Sequence, residues 1–449
     1  MKHLPAAALL VLAAAWLWLQ APQLALLPGD EPLYLLDAQR ILHGDQLYRD
    51  VFLAHPPARV WQAALVLALG APLAWAKLWA PAATLGVAAL LWRQLHRAGQ
   101  PLASGIAPLL FLASNVVLSH GAQFVGVEQA LLLATLATTL ALAQRWLLAG
   151  LALGLATQWA LHGALLAVPL LVWAWQDRAL PRFAAGLAVG LLPLVAELAY
   201  FGQPMLDQAF AYHIRKVTEM APQKGPARVL PFLLAQAPFL LLAALAAWRG
   251  APLARRLGRS GLAALALLLL WPRLQPYYFL LPLPWLAGAA ALTIASLYAA
   301  KPARHVQLLL GVLVLGIAWA PLTTALARRT LSLAVAPEMT QLAAQVQTLA
   351  HGQPLWGDGA LVPLLALRTG LPVALGDTDT NAQRFASGLT PPVAHVAAVL
   401  AQKPLIVLVP HHGIDTVPAI HDALIARCDV VGHFNAPAAN FAGLLLQPR

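Results

Sequence analysis

The sequence is poor in thiols and in charge. A single cysteine, Cys428, excludes an intramolecular disulfide framework and any zinc site built on several cysteines. Charged residues make up 10% of the 449, far below the roughly 25% of soluble domains. The chain also exceeds the length of about 250–300 residues at which one water-soluble core stops growing. One soluble domain and a disordered chain are therefore both excluded. What is present is apolar: 60% of residues are hydrophobic and mean hydropathy is +0.71, which implies an integral membrane protein with many spans. Acids are the scarcer charge, 17 against 28 Lys and Arg, leaving +11. Such a balance suits either a nucleic-acid surface or basic cytoplasmic loops, and location decides between them.

A span needs about 20 mostly apolar residues. Leu4–Leu27 qualifies and reads as a retained first helix. Further apolar runs are Pro72–Leu91, Leu102–Ser119, Glu128–Ala143, Leu147–Trp175, Phe183–Phe201, Val229–Trp248, Gly261–Trp271, Tyr277–Leu297 and Val306–Leu326. Leu147–Trp175 is long for one crossing. Read as two short helices meeting near Trp159–Gly163, it puts every basic stretch (Arg93–Arg97, Arg145, Arg178–Arg182, Arg249–Arg259, Lys301–Arg304) on the cytoplasmic side. The expectation is a mostly α, polytopic membrane protein of about eleven transmembrane helices, N-terminus inside and C-terminus outside. Residues 1–330 would form this module, with a first outer loop at about 28–71. From Ala336 the pattern changes. Pro354–Trp356, Pro372–Leu375, Leu405–Val409 and Asp429–Phe434 read as strands. Thr340–Ala350, Thr390–Gln402 and Thr416–Ala426 read as helices. Such alternation predicts a small periplasmic α/β domain over 336–449.

On this topology the basic excess marks orientation and needs no nucleic acid, while the acids gather outside. Asp30, Glu31, Asp37, Asp45 and Asp50 fall in the first outer loop, Glu128 at an outer helix end, and Asp207 and Glu219 in the third outer loop. Leu33, Leu36, Ile41 and Leu42 recur at roughly helical spacing, with Pro32 suited to a first turn and Gly44 to an end. They predict an amphipathic helix on the membrane face. Asp30 and Glu31, at its start, suit proton transfer or cation binding; capping by Asp30 is the competing explanation. Glu128 is an ionisable group at the membrane boundary, and an acid is also ordinary at a helix start. Arg273, with Tyr277 and Tyr278, suits a phosphate; an interfacial belt with a snorkelling arginine fits equally. Lys77 has the same two readings. Gln158 and His162 are polar groups at an apolar break. Arg215, Lys216, Lys224 and Arg228 face either lipid phosphates or solvent.

The run Asp30-Glu31, Tyr34, Ala38, Leu42, Gly44, Tyr48, Asp50 and His55-Pro56-Pro57 resembles the first periplasmic loop of GT-C glycosyltransferases, in particular the branch with protein O-mannosyltransferases and the lipid A aminoarabinose transferase. Glu128, the glycines Gly150, Gly154 and Gly163 with Ala156 and Pro169, and Arg273-Leu274-Gln275-Pro276-Tyr277 with Pro282 and Pro284 follow in the family's order over residues 1–300. Trp159-Ala160 stand where relatives carry Thr-Lys, and Arg273 where a lysine is common. The resemblance implies a bacterial inner-membrane enzyme that moves a sugar from a polyprenyl-phosphate donor to a lipid, glycan or protein acceptor at the outer face, with inversion. It implies Asp30 as base, with Glu31, Tyr34 and His55 shaping the site. Arg273 and Lys77 would face the phosphate, joined by Gln158 or His162 and by Tyr277. Glu128 would orient the acceptor; whether Asp30 and Glu128 hold a divalent metal stays open. A transporter or flippase of lipid-linked sugars is the alternative and predicts repeated halves; none is visible. A glycan polymerase or ligase would share the substrates without the Asp30–Glu31 loop.

Overall fold

The computed structural model describes residues 4–218, 230–231, 233–234, 236–270, 275–300 and 304–449. Arg273, Glu219, Lys224 and Arg228, singled out from the sequence, lie outside the described residues, as does the Lys216 side chain. The chain is predominantly helical with one four-stranded sheet near its C-terminus, which bears out the expected class. Among the described residues four helical stretches are long and apolar enough to cross a membrane: Ala7–Leu24, Leu73–Arg97, Leu180–Phe201 and Pro276–Ala299. Shorter apolar helices accompany them, including Pro101–Leu112, Val127–Leu142 and Ala237–Arg249. Leu10 of the first helix α1 (Leu4–Gln20), Leu192, Leu241 and Trp248 are exposed, as is Trp319 of the helix Arg304–Ala350. That much apolar surface needs a lipid cover.

The chain divides into two compact units. The first holds Met1–Ala21, Leu78–Ala196 and Pro222–Arg328. The Leu147–Trp175 run is broken as its length predicts: Trp146–Ala156 and Ala167–Gln176 are separate helices joined through a 3-10 turn at Leu161–Leu166. Trp146–Ala156 lies backbone-to-backbone against Leu180–Phe201. Gly150 and Gly154 leave room for Phe183, Leu187 and Gly190, while Gly186 and Gly190 admit the Leu147 and Leu151 carbonyls. Small residues spaced four apart on both helices permit this approach, the usual device where lipid gives no hydrophobic drive to pack. In the helix Leu283–Ala299, every residue from Leu283 to Ala295 is buried, as befits a stretch apolar on all sides.

The second unit holds Pro22–Lys77, Glu197–Ala221 and Arg329–Arg449, so the first outer loop and the tail share one compact body. Its sheet has the order β1 (Leu355–Gly357), β2 (Leu405–Leu408), β4 (Phe441–Pro448), β3 (Cys428–Ala436). β1 and β2 are parallel, and the remaining pairings are antiparallel. Leu405–Leu408 is buried throughout, as a central strand must be. Pro372–Leu375, read as a strand, contributes only a single bridge from Val373 to Leu355 before turning into a 3-10 helix. Pro372 has no N–H for a ladder, and Leu375 takes a positive φ of 54°. The helix Arg304–Ala350 runs unbroken for 47 residues. Its last turns bury Met339, Leu342, Val346 and Ala350 in a core shared with Leu361, Val362 and Leu365 of the tail and Leu36 of the first loop.

Candidate active site

The first-loop helix α2 spans Asp30–Leu42, as the apolar spacing predicts, and stops at His43-Gly44, where Gly44 has φ 105°. It is not a half-exposed surface helix. Pro32 to Ala38 are all buried, because tail residues enclose it. Thr378 Oγ1 donates to Asp37 at 2.7 Å. Arg40 donates to the Gly376 carbonyl, Arg368 Nη2 to the Leu26 carbonyl at 3.0 Å, and Gly29 N–H to the Ala360 carbonyl at 3.1 Å. The N-cap position is held by Gly29 with no side-chain cap, and Asp30 and Glu31 fall in the first turn. Asp30 is therefore a first-turn residue and not the N-cap.

Lys77 is fully buried, and its ammonium has three donors. Two go to the carbonyls of Gln23 and Ala25 at 2.6 Å each, and the third faces Glu31 Oε2 at 3.0 Å. Two residues picked out separately in the sequence are thus one ion pair, in which Lys77 fixes Glu31 and the entry to α2. Tyr34 and His55 also meet, edge to face at 6.2 Å, with the buried Arg59 guanidinium 4.7 Å over the Tyr34 ring. The His55 ring lies 5.3 Å from that of His213, whose Nε2 is 2.6 Å from the Ala54 carbonyl. Tyr48 Oη donates to the His55 carbonyl at 2.6 Å.

The tail adds acids of its own. Asp377 is buried and accepts from Trp356 Nε1 at 3.0 Å, from Arg384, and lies 2.7 Å from His395 Nε2. Burial opposes its ionisation, but Arg384, His395 and the indole outweigh that and hold the carboxyl below its ordinary range. Asp379 is pushed up to about 6, by burial first, with the charges of Asp30 and Asp377 adding to it. Asp37 is fully buried and pushed up to about 8. Asp377, Asp379, Arg384 and His395 of the tail, with Arg59 and His213, are candidates that sequence reasoning missed. Arg59 stands two residues after the noted His55-Pro56-Pro57, but no local signal ties Asp379 to Asp30. At the carboxyl ends of the parallel strands, Asp358 accepts from His412 Nδ1 at 2.6 Å; the bond raises the His412 pKa.

In the other unit, Glu128 is fully buried in the first turn of Val127–Leu142. Gln158 is buried just past the end of Trp146–Ala156. His162 stacks on Tyr278 at 3.9 Å, and Tyr278 meets Tyr277 at 4.8 Å. The helical break and the Tyr277-Tyr278 segment are therefore joined. Among the described residues no three His, Cys, Asp or Glu side chains cluster as a metal cage.

No protein-family model and no curated protein matches the chain. Solved structures do. ArnT from Cupriavidus metallidurans bound to undecaprenyl phosphate superposes with a TM-score of 0.67 at 16% identity, covering 98% of this chain and 97% of that one. The chain has the ArnT fold. The apo state of the same ArnT gives a TM-score of 0.69 at 17% identity over 97% of each chain. The likeness to ArnT thus runs through the apolar helices and the tail alike, in agreement with the fold expected from the first-loop resemblance.

Proposed function

We propose that the chain is a membrane glycosyltransferase that takes a sugar from a polyprenyl-phosphate carrier and passes it to an acceptor at the outer face, with inversion. The observation that carries this reading is the Asp30–Glu31 pair in the first turn of α2, with Glu31 fixed by the buried Lys77. The ArnT that shares this fold binds undecaprenyl phosphate, which supports the same class of carrier here. In the reaction, Asp30 takes the proton of the acceptor hydroxyl or amine. The freed heteroatom attacks the anomeric carbon, and the bond from that carbon to the phosphate oxygen breaks. The polyprenyl phosphate departs with the electron pair, through an oxocarbenium-like state. Arg273, with Gln158, His162 and Tyr277, stabilises the anion that forms. Lys77 acts by positioning Glu31, Tyr34 and His55 shape the site around Asp30, and the role that suits Glu128 is orienting the acceptor. The topology that suits this chemistry has about eleven spans, a cytoplasmic N-terminus and an outer tail, in a bacterial inner membrane.

The test is transfer by the chain in membranes supplied with a radiolabelled polyprenyl-phosphate sugar. Label should move covalently onto an acceptor. Label that crosses the bilayer while still attached to its carrier would establish the flippase reading instead. A reporter enzyme fused after Leu326 should be active outside the cytoplasm only.

A further inference from the structure

A cavity of about 330 Å³ opens within the unit formed by the first loop and the tail. It lies at the small end of the roughly 300–1,000 Å³ typical of ligand pockets. Three separate stretches build it: Arg49, Asp50 and Phe52 from the first loop, Asp207 and Gln208 from residues 203–218, and Arg384 with His395 from the tail. None of these was singled out as a site from the sequence.

Its frame is fixed by hydrogen bonds. Gln208 accepts from Leu53 N–H at 2.9 Å and donates to the Tyr48 carbonyl at 2.6 Å, which holds the 48–53 turn in place. Arg384 is locked by Asp377 and by Thr390, whose hydroxyl it reaches at 2.9 Å, and lies 4.5 Å over the Phe52 ring. Such pre-ordering removes the entropy cost that a ligand would otherwise meet.

We propose that this cavity is a carbohydrate subsite that holds a sugar ring of the acceptor, apart from the reacting centre. The inference rests on the transferase reading. The lining chemistry selects the class. Asp377 is already neutralised by Arg384, so what remains towards a ligand is Arg49 with Asp50 and Asp207, one cation and two carboxylates that offer donors and acceptors of both signs. A phosphate would meet carboxylates here, and a lipid chain would meet charges. A polyhydroxylated ring satisfies both kinds of partner, because each hydroxyl donates and accepts. Phe52, Pro204 and Leu389 supply apolar patches for its C–H faces. The subsite is wired to the reacting carboxylate: Arg40 bonds the Asp50 carbonyl at 3.1 Å and the Gly376 carbonyl, and sits about 15 Å from Asp30 along α2 at 1.5 Å per residue. Contacts that far from the chemistry select an extended acceptor and contribute to its turnover.

The experiment is saturation-transfer NMR on the full chain in lipid nanodiscs, with maltose, mannobiose and chitobiose as probes. Saturation should reach the ring protons of at least one disaccharide. The combined Arg49→Ala and Asp207→Asn variant, both changes being in the cavity lining, should weaken that signal at least tenfold, and Phe52→Leu should weaken it less. Asp30→Asn should leave it intact. That control separates the two readings, since binding survives even if transfer chemistry at Asp30 does not. No saturation of any of the three probes overturns the proposal. So does an undiminished signal in the double variant, or displacement of the sugar by inorganic pyrophosphate, which would mark an anion site.

Discussion

The two units bury polar groups by opposite means. In the unit of apolar helices, buried polar side chains other than Glu128 are largely neutral: Thr135 and Thr138 donate to carbonyls one turn back, and Trp285 Nε1 donates to Thr138 at 3.0 Å. Tightness there comes from glycine. In the unit of the first loop and tail, many buried groups are ionisable and answered one by one, Lys77 by Glu31, Arg384 by Asp377 and Asp37 by the Thr378 hydroxyl. Buried charge is expensive and adds little net stability over an apolar replacement. One unit thus concentrates paired ionisable groups, while the other relies on close backbone packing.

If that contrast is right, the two units should fail differently. The largest loss is expected from Gly186→Val, whose side chain would run into the Leu147 carbonyl. Backbone against backbone leaves nothing to yield, so size-exclusion in detergent should show little folded protein. Lys77→Met should come next, leaving the Glu31 carboxylate nearly buried without its cation. A cost of about 3–5 kcal/mol is expected, read as a lowered thermal midpoint, and Lys77→Met combined with Glu31→Gln should recover much of it. An uncoupled pair would show no such recovery.

Asp37→Asn tests the charged unit from the other side. The folded-state pKa of about 8 lies above the ordinary 3.8, so the folded protein holds a proton that the unfolded chain releases. Stability from this group therefore falls as pH rises from about 4 to about 8 and is level beyond. The asparagine variant should gain on the parent across that window, with the gap in thermal midpoint widest near pH 8. A pH-independent gap would contradict the burial of Asp37. The smallest effect belongs to Trp285→Phe, which loses one neutral hydrogen bond while Thr138 keeps its bond to Ala134. About 1 kcal/mol is expected, and little change in transfer activity.

The contrast also explains what could be read from the sequence. Local patterns were legible: the α2 spacing, the break at 159–163, the strand–helix alternation of the tail, and the Asp30–Glu31 pair. The glycines at 150 and 154 were visible, but their reason, the approach of Leu180–Phe201, was not. β4 escaped because Phe441-Ala-Gly-Leu-Leu-Leu shows no alternation; its hairpin turn, with Asn440 at φ 59°, was the available signal. Least legible were the pairings of the charged unit. Asp37 and Thr378 are 341 positions apart, and no window of sequence encodes such a contact. The enclosure of α2 by the tail rests on these pairings together with the core that Leu36 shares with the tail.

The account stands most directly on Asp30. With Asp30→Asn in membranes supplied with a radiolabelled polyprenyl-phosphate sugar, transfer to acceptor should fall by about 100- to 10,000-fold, the usual worth of a general base, while the variant is made at parental levels and still binds the donor lipid. Undiminished transfer by a well-folded Asp30→Asn would contradict it.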